Sequence, residues 1–223
     1  MLQLYTNVLL VVLSLILVFI VRTVLLMVFT VKGYRKKSKR LSQDSVKTVI
    51  VIGSGGHTSE MMYLVESLHP VRYSPRLYIM ASSDLWSEQK VHELESKLKT
   101  NDRQSKYEVF KIPRSRSVHQ SYFTSVFTTL YAILSSIPIM LKFNPELVLC
   151  NGPGTCIPIC GIAFLMRCCF ISDNKVVFVE SICRVKTMSL SGRILQWFAD
   201  EILVQWPELM SKCKRAKYIG RVV

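Results

Sequence analysis

Acidic residues are scarce in this 223-residue sequence, 15 against 29 Lys and Arg, and the resulting net charge of +14 raises the question of nucleic acid. The features that would support that partner are missing. There is no zinc-finger spacing, no aromatic RNP-type motif and no basic repeat, so no nucleic-acid partner is expected. A disulfide framework is lacking too: seven cysteines are an odd number, and most sit in apolar contexts. Cys156-x-x-x-Cys160 has no second pair or flanking His, which argues against zinc, and no metal or cofactor is expected. The nucleotide loop G-x-x-x-x-G-K-[ST] does not occur, and G-x-G-x-x-G is matched only in part. Internal repeats are absent.

What is present begins with a long apolar run. Val8 to Val31 is interrupted only by Ser14, Thr23, Thr30 and the single charge Arg22, and is long enough to cross a hydrocarbon core as a helix. A secretory signal would need a basic start, a shorter core and a small-residue cleavage site, none of which is seen. No Lys or Arg precedes the run, whereas Lys32, Arg35, Lys36, Lys37, Lys39 and Arg40 follow it. By the positive-inside rule the N-terminus is lumenal and the body cytosolic. The expected layout is an anchor over 1–31, a basic juxtamembrane linker over 32–47 and one soluble domain over 48–223. Half of the excess charge falls within residues 1–47, where it serves topology and attracts anionic headgroups.

Within the body, short β-branched runs alternate with helix-length segments. Strands are expected at 48–52, 76–81, 107–112, 146–150, 175–180, 201–205 and 216–220. Strict alternation implies an α/β domain, a single Rossmann-like parallel sheet covered by helices, with ligands beyond the carboxyl ends of the strands. Four loops share that rim: Gly53–Thr58, Pro113–Arg116, Asn151–Thr155 and Glu180-Ser181. The first breaks from Val49-Ile50-Val51-Ile52 into Gly53-Ser54-Gly55-Gly56-His57-Thr58 and then an apolar helix, a backbone cradle suited to phosphate. Two further hydrophobic segments, 122–143 and 156–171, are expected as helices packed on the sheet rather than spans. One of them exposing an apolar face to the bilayer is the alternative.

Taken in order, Gly53–Thr58, Pro145–Thr155, Val179-Glu180-Ser181 and Gln205-Trp206-Pro207 resemble the N-terminal half of the MurG-type GT-B glycosyltransferases. More narrowly, Ile112–Arg116, Cys150–Cys156, Val179–Val185 and Tyr218–Val223 resemble the membrane-anchoring subunit family of the two-part eukaryotic UDP-N-acetylglucosamine transferase of the dolichol pathway. The resemblance implies the N-terminal, acceptor half of a GT-B fold on the cytosolic face of the endoplasmic reticulum. It implies a soluble catalytic, donor-binding subunit as partner and a dolichyl-diphosphate-linked sugar as acceptor. The sequence reaches Gly220-Arg221-Val222-Val223 where MurG-like chains enter their donor half, so the chain is not expected to be active alone.

Candidate acceptor-binding residues are Gly53, Ser54, Gly55, Gly56, His57, Thr58, Asn151, Gly152, Gly154 and Thr155. Glu180 is added for acceptor hydroxyls, and Arg114, Arg116 and Arg184 for the diphosphate. His57 is the candidate general base, with phosphate binding or loop packing as its alternatives. Glu60 is expected to be a first-turn carboxylate favoured by the helix dipole. Tyr218, Ile219, Gly220, Val222 and Val223 are the expected docking tail. A pure recruitment anchor with no acceptor role is the competing reading.

Overall fold

The computed structural model describes residues 1–34, 45–98, 106–116, 120–152 and 154–222. The expected linker cations Arg35, Lys36, Lys37, Lys39 and Arg40, and Val223 of the tail, lie outside the described residues.

Each strand follows directly from a β-branched or aromatic run. β1 (Thr48–Val51), β2 (Arg76–Ala81), β3 (Tyr107–Ile112), β4 (Leu147–Asn151), β5 (Lys175–Val179), β6 (Glu201–Val204) and β7 (Ala216–Tyr218) form one sheet in the order β3-β2-β1-β4-β5-β6-β7. All six pairings are parallel. The expected strands are all there, although β7 stops at Tyr218 and leaves Ile219 and Gly220 in the tail. Because successive side chains point to opposite faces, the unbroken apolar run of β1 feeds two cores. Val49 and Val51 join one with Leu77, Ile79, Val148 and Cys150, while Ile50 and Ile52 join the other with Tyr78, Met80 and Leu149. The helices α2 (Gly56–Glu66) and α3 (Leu85–Lys97) close the second core, and α4 (Tyr122–Phe143), α5 (Cys156–Cys168) and α6 (Leu190–Leu195) cover the first. Cysteine behaves as the sequence suggested: all seven are free, and burial pushes the Cys150 and Cys156 thiols up.

The two ambiguous apolar segments behave differently from one another. α5 buries ten of its 13 residues and is a core helix. α4 fully buries only Ala132, Ser136 and Met140, with Ile133, Ile137, Ile139 and Phe143 partly buried against the core, and it leaves Phe123, Val126, Phe127, Leu130 and Leu134 exposed along one side. It continues through Pro138 and is long and apolar enough to cross a membrane. The expectation of two helices simply packed on the sheet therefore holds for α5 and only partly for α4.

The first helix, α1 (Leu2–Val31), is about 45 Å long at 1.5 Å per residue and is the other candidate span. Its lone charge has a structural partner. Arg22 donates from Nε to the Cys168 carbonyl at 2.8 Å and from Nη2 to the Arg167 carbonyl at 2.9 Å. Its guanidinium stacks 3.2 Å from the centre of the Phe170 ring. A cation at a helix C-terminus satisfies carbonyls that the helix itself leaves open. α1 is thereby tied to the body as well as linked through the chain.

Candidate acceptor site at the switch point

The chain reverses its winding between β1 and β4, and the loops after these adjacent strands open a crevice at their carboxyl ends. After β1, Gly55 adopts φ +61° as the N-cap of α2, a conformation that strongly favours glycine. The loop is held from beneath. Thr58 Oγ1 donates to the Gly53 carbonyl at 2.7 Å, and Ser87 Oγ donates to the same carbonyl at 3.1 Å. After β4, Gly152 also has φ +61°, and a Cβ there would stand 2.6 Å from His57 Cε1. His57 packs against bare backbone.

A cavity of about 440 Å³ lies in this crevice, lined by Gly53, Ser54, Arg114, Arg116, Gly152, Gly154, Thr155 and Arg184 among the expected residues. Four segments distant in sequence thus converge on one space, and three of the converging side chains are arginines. Arg116 stacks on Tyr122 at 4.1 Å and donates to the Gln120 carbonyl, so it is already oriented. Sequence reasoning missed the other wall: Asp84, Tyr122, Ser125, Thr129, Ser189 and Ser191. Tyr122, Ser125 and Thr129 recur three and four residues apart on α4, a polar stripe visible in the sequence within an otherwise apolar helix. Thr128 Oγ1 ties α4 to the arginine loop by donating to the Ser115 carbonyl at 2.6 Å. Ser115 lines the cavity, is 2% exposed, and its hydroxyl has no hydrogen-bond partner among the described residues.

The remaining expected residues stand off the cavity. Gly55 and Gly56 are exposed at the tip of the loop, Thr58 is buried beneath it, and His57 is half-buried beside it. Asn151 is 1% exposed, with its amide shared between His57 Nδ1 and Glu60 Oε2. Glu180 is fully buried and accepts from the Ser181 and Ser189 N–H groups and the Ser189 hydroxyl. Burial pushes its carboxyl above the usual range, while those donors and Arg184 pull it back. The carboxylate braces the Ser181–Ser189 loop from below instead of reaching into the cavity. Glu60 is no surface carboxylate either: it is 3% exposed and accepts from Asn151, Ser181, Ile182 and Gln205.

Residues 48–222 match the family described as "Oligosaccharide biosynthesis protein Alg14 like". The chain belongs to the Alg14 family. Relatives named "UDP-N-acetylglucosamine transferase subunit ALG14" are similar along most of its length. The Mus musculus protein is 49% identical over 185 residues, covering 81% of this chain and 85% of its own. The Homo sapiens protein is 45% identical over 184 residues with the same coverage, 81% and 85%. That of Schizosaccharomyces pombe is 43% identical over 190 residues, covering 83% and 88%. The fold is also that of Acinetobacter baumannii MurG, with a TM-score of 0.54 at 15% identity over 78% of this chain. The Alg14-family chain spans 45% of that MurG chain.

Proposed function

We propose that this chain is the membrane-bound, acceptor-side subunit of a UDP-N-acetylglucosamine transferase. It holds N-acetylglucosaminyl-diphosphodolichol at the cytosolic face of the endoplasmic reticulum, while a separate soluble subunit binds the sugar nucleotide and the pair adds the second N-acetylglucosamine. The observation that carries this reading is the two-sidedness of α4. One side contributes Tyr122, Ser125 and Thr129 to a cavity rimmed by Arg114, Arg116 and Arg184, and another exposes Phe123, Phe127, Leu130 and Leu134. A molecule with a diphosphate head and a polyisoprenoid tail needs such a boundary, cationic donors on one side and an apolar surface on the other. The buried Ser115 hydroxyl supports an occupant, because a buried donor left without a partner is rare unless a ligand or water completes it. The cations that follow the first helix, with none before it, support a cytosolic body by the positive-inside rule.

The Gly53–Thr58 loop supplies backbone N–H groups and the N-terminus of α2, which favour an anion. Gly55→Val places a β-branched side chain at φ +61° and ψ −124°, a backbone region such residues rarely adopt, and is expected to cost about 1–3 kcal/mol locally while blocking approach to the backbone. Transferase activity of the reconstituted pair should fall at least about tenfold, a 1.4 kcal/mol effect, with partner binding retained. A folded variant with acceptor saturation unchanged would leave the chain a recruitment anchor only.

The tail is assigned to partner docking because Tyr218 and Ile219 are 49% and 41% exposed at the edge of the sheet. It is ordered locally: the Val222 N–H donates to Gln205 Oε1 at 2.9 Å, and Arg221 lies 4.4 Å over the Trp206 ring. Since β7 ends at Tyr218, removing residues 220–223 spares the strand pairing. Loss of co-purification with the catalytic subunit, with membrane insertion and protease resistance intact, is the expected result. Normal recruitment by that truncation would remove residues 220–223 from the interface.

A further inference from the structure

Beneath His57, side chains from three distant parts of the sequence meet on one carboxylate. Glu60 can only accept, and it is surrounded by donors. Its Oε2 receives Asn151 Nδ2 at 2.9 Å, Gln205 Nε2 at 3.2 Å and the Ile182 N–H at 3.2 Å; its Oε1 receives the Ser181 hydroxyl at 2.8 Å. This fixes the Asn151 amide. Reversed, it would set its oxygen against Glu60 Oε2, two acceptors with no proton between them. Asn151 Oδ1 therefore faces His57 Nδ1, 2.9 Å away. An amide oxygen accepts only, so Nδ1 carries the proton and, in a neutral imidazole, Nε2 keeps a lone pair. Nε2 has no hydrogen-bond partner among the described residues, and the ring lies against Gly152, where any Cβ would collide with it.

We propose that Glu60 and Asn151 are positioning residues that lock His57 in its Nδ1–H tautomer, leaving Nε2 as the base for the acceptor hydroxyl. This rests on the acceptor-side reading above. As the hydroxyl oxygen bonds to the anomeric carbon of the nucleotide sugar, the bond from that carbon to the diphosphate breaks and the nucleoside diphosphate leaves with the electron pair. The hydroxyl proton passes to Nε2. The Nδ1–H stays donated to Asn151, whose amide cannot turn because Glu60 holds its other end. An orienting group behind a base is a recurrent arrangement, and its removal leaves the base present but in the wrong tautomer.

The test uses the full chain with its catalytic partner. Nitrogen NMR of the histidine-labelled protein should show His57 Nδ1 protonated and Nε2 unprotonated. Asn151→Leu, close in size and without polar atoms, should shift the ring toward the Nε2–H form. It should also lower kcat roughly 10- to 100-fold, with the acceptor KM changed less than about threefold. Glu60→Gln should keep the Nδ1–H tautomer: its oxygen can still take the Asn151 and Gln205 amides, and the Ser181 hydroxyl can reverse to accept from the new NH2. An Nε2–H tautomer in the unsubstituted protein overturns the lock even if Asn151→Leu does not fold. A folded Asn151→Leu with unchanged kcat overturns the catalytic link. Full activity of His57→Ala, with the tautomer as expected in the parent, defeats the base reading while leaving the lock standing.

Discussion

Glu95→Ala is expected to destabilise the folded body by about 3–5 kcal/mol, which for a domain of this size lowers Tm by roughly 6 to 20 °C. Glu95 on α3 and Arg76 at the start of β2 are both fully buried and paired through two parallel bonds, Nε to Oε1 at 2.6 Å and Nη2 to Oε2 at 2.7 Å. Tyr78 donates its hydroxyl to the same carboxylate, and Arg76 Nη1 donates to the Pro70 and Tyr73 carbonyls. Burial works against the Arg76 charge, but the Glu95 carboxylate outweighs it and holds the guanidinium above its ordinary pKa. Burial, reinforced by that carboxylate, also drives the Tyr78 hydroxyl far above its usual range, so it remains a donor. Removing Glu95 leaves a cation and a phenol in the core with no acceptor between them. The double substitution Arg76→Met with Glu95→Leu should recover most of the loss, because the cost lies in the orphaned charge more than in the missing attraction. Thermal melting of the detergent-solubilised chain checks both, and a drop below about 2 °C for Glu95→Ala would contradict the argument.

A chain lacking residues 1–31 is expected to stay on membranes through a high-salt wash, contrary to what an anchor and a basic patch alone would predict. The reason is α4. Burying a Phe, Leu or Val side chain fully is worth about 1.5–3 kcal/mol, so Phe123, Val126, Phe127, Leu130 and Leu134 inserted halfway would contribute on the order of 4 to 7 kcal/mol. Salt weakens headgroup attraction but not this term. Introducing Phe127→Glu and Leu130→Glu into the truncated chain should then release it, as read by vesicle flotation with protease resistance reporting the fold. Release of the truncated chain without those changes would mean that α4 meets protein and not lipid.

The strands were legible because their chemistry is local: β1 to β6 are apolar-rich runs of four to six residues, and only the three-residue β7 departs from that pattern. The long apolar first helix was legible for the same reason, since length and apolarity are properties of one segment. Glu60 was not. In the sequence it is a carboxylate four residues after Gly56, where a helix dipole gives it sufficient reason to be, and nothing nearby announces Asn151, Ser181 or Gln205 as partners. The sheet order sets β1 beside β4, with β5 and β6 next in line, which carries the Asn151, Ser181 and Gln205 ends to the start of α2. Glu180 shows the converse. Its resemblance to the family's Glu-containing loop at a strand end implied an acceptor contact, but the side chain turns inward to Ser189, a choice made by packing.

Composition and local pattern by themselves determined that this protein has an apolar first helix with cations behind it and a parallel α/β body with glycine-rich loops at one rim. Those follow from the hydrophobic period and the conformational range of each residue type, which act over a few positions. The tertiary structure alone decided which loops share a cavity, that α4 keeps one face apolar and exposed while another lines that cavity, and that His57 is oriented through Asn151 by Glu60. These depend on contacts between residues about ninety positions apart, and such contacts exist only once the strand order has brought the ends of β1 and β4 side by side.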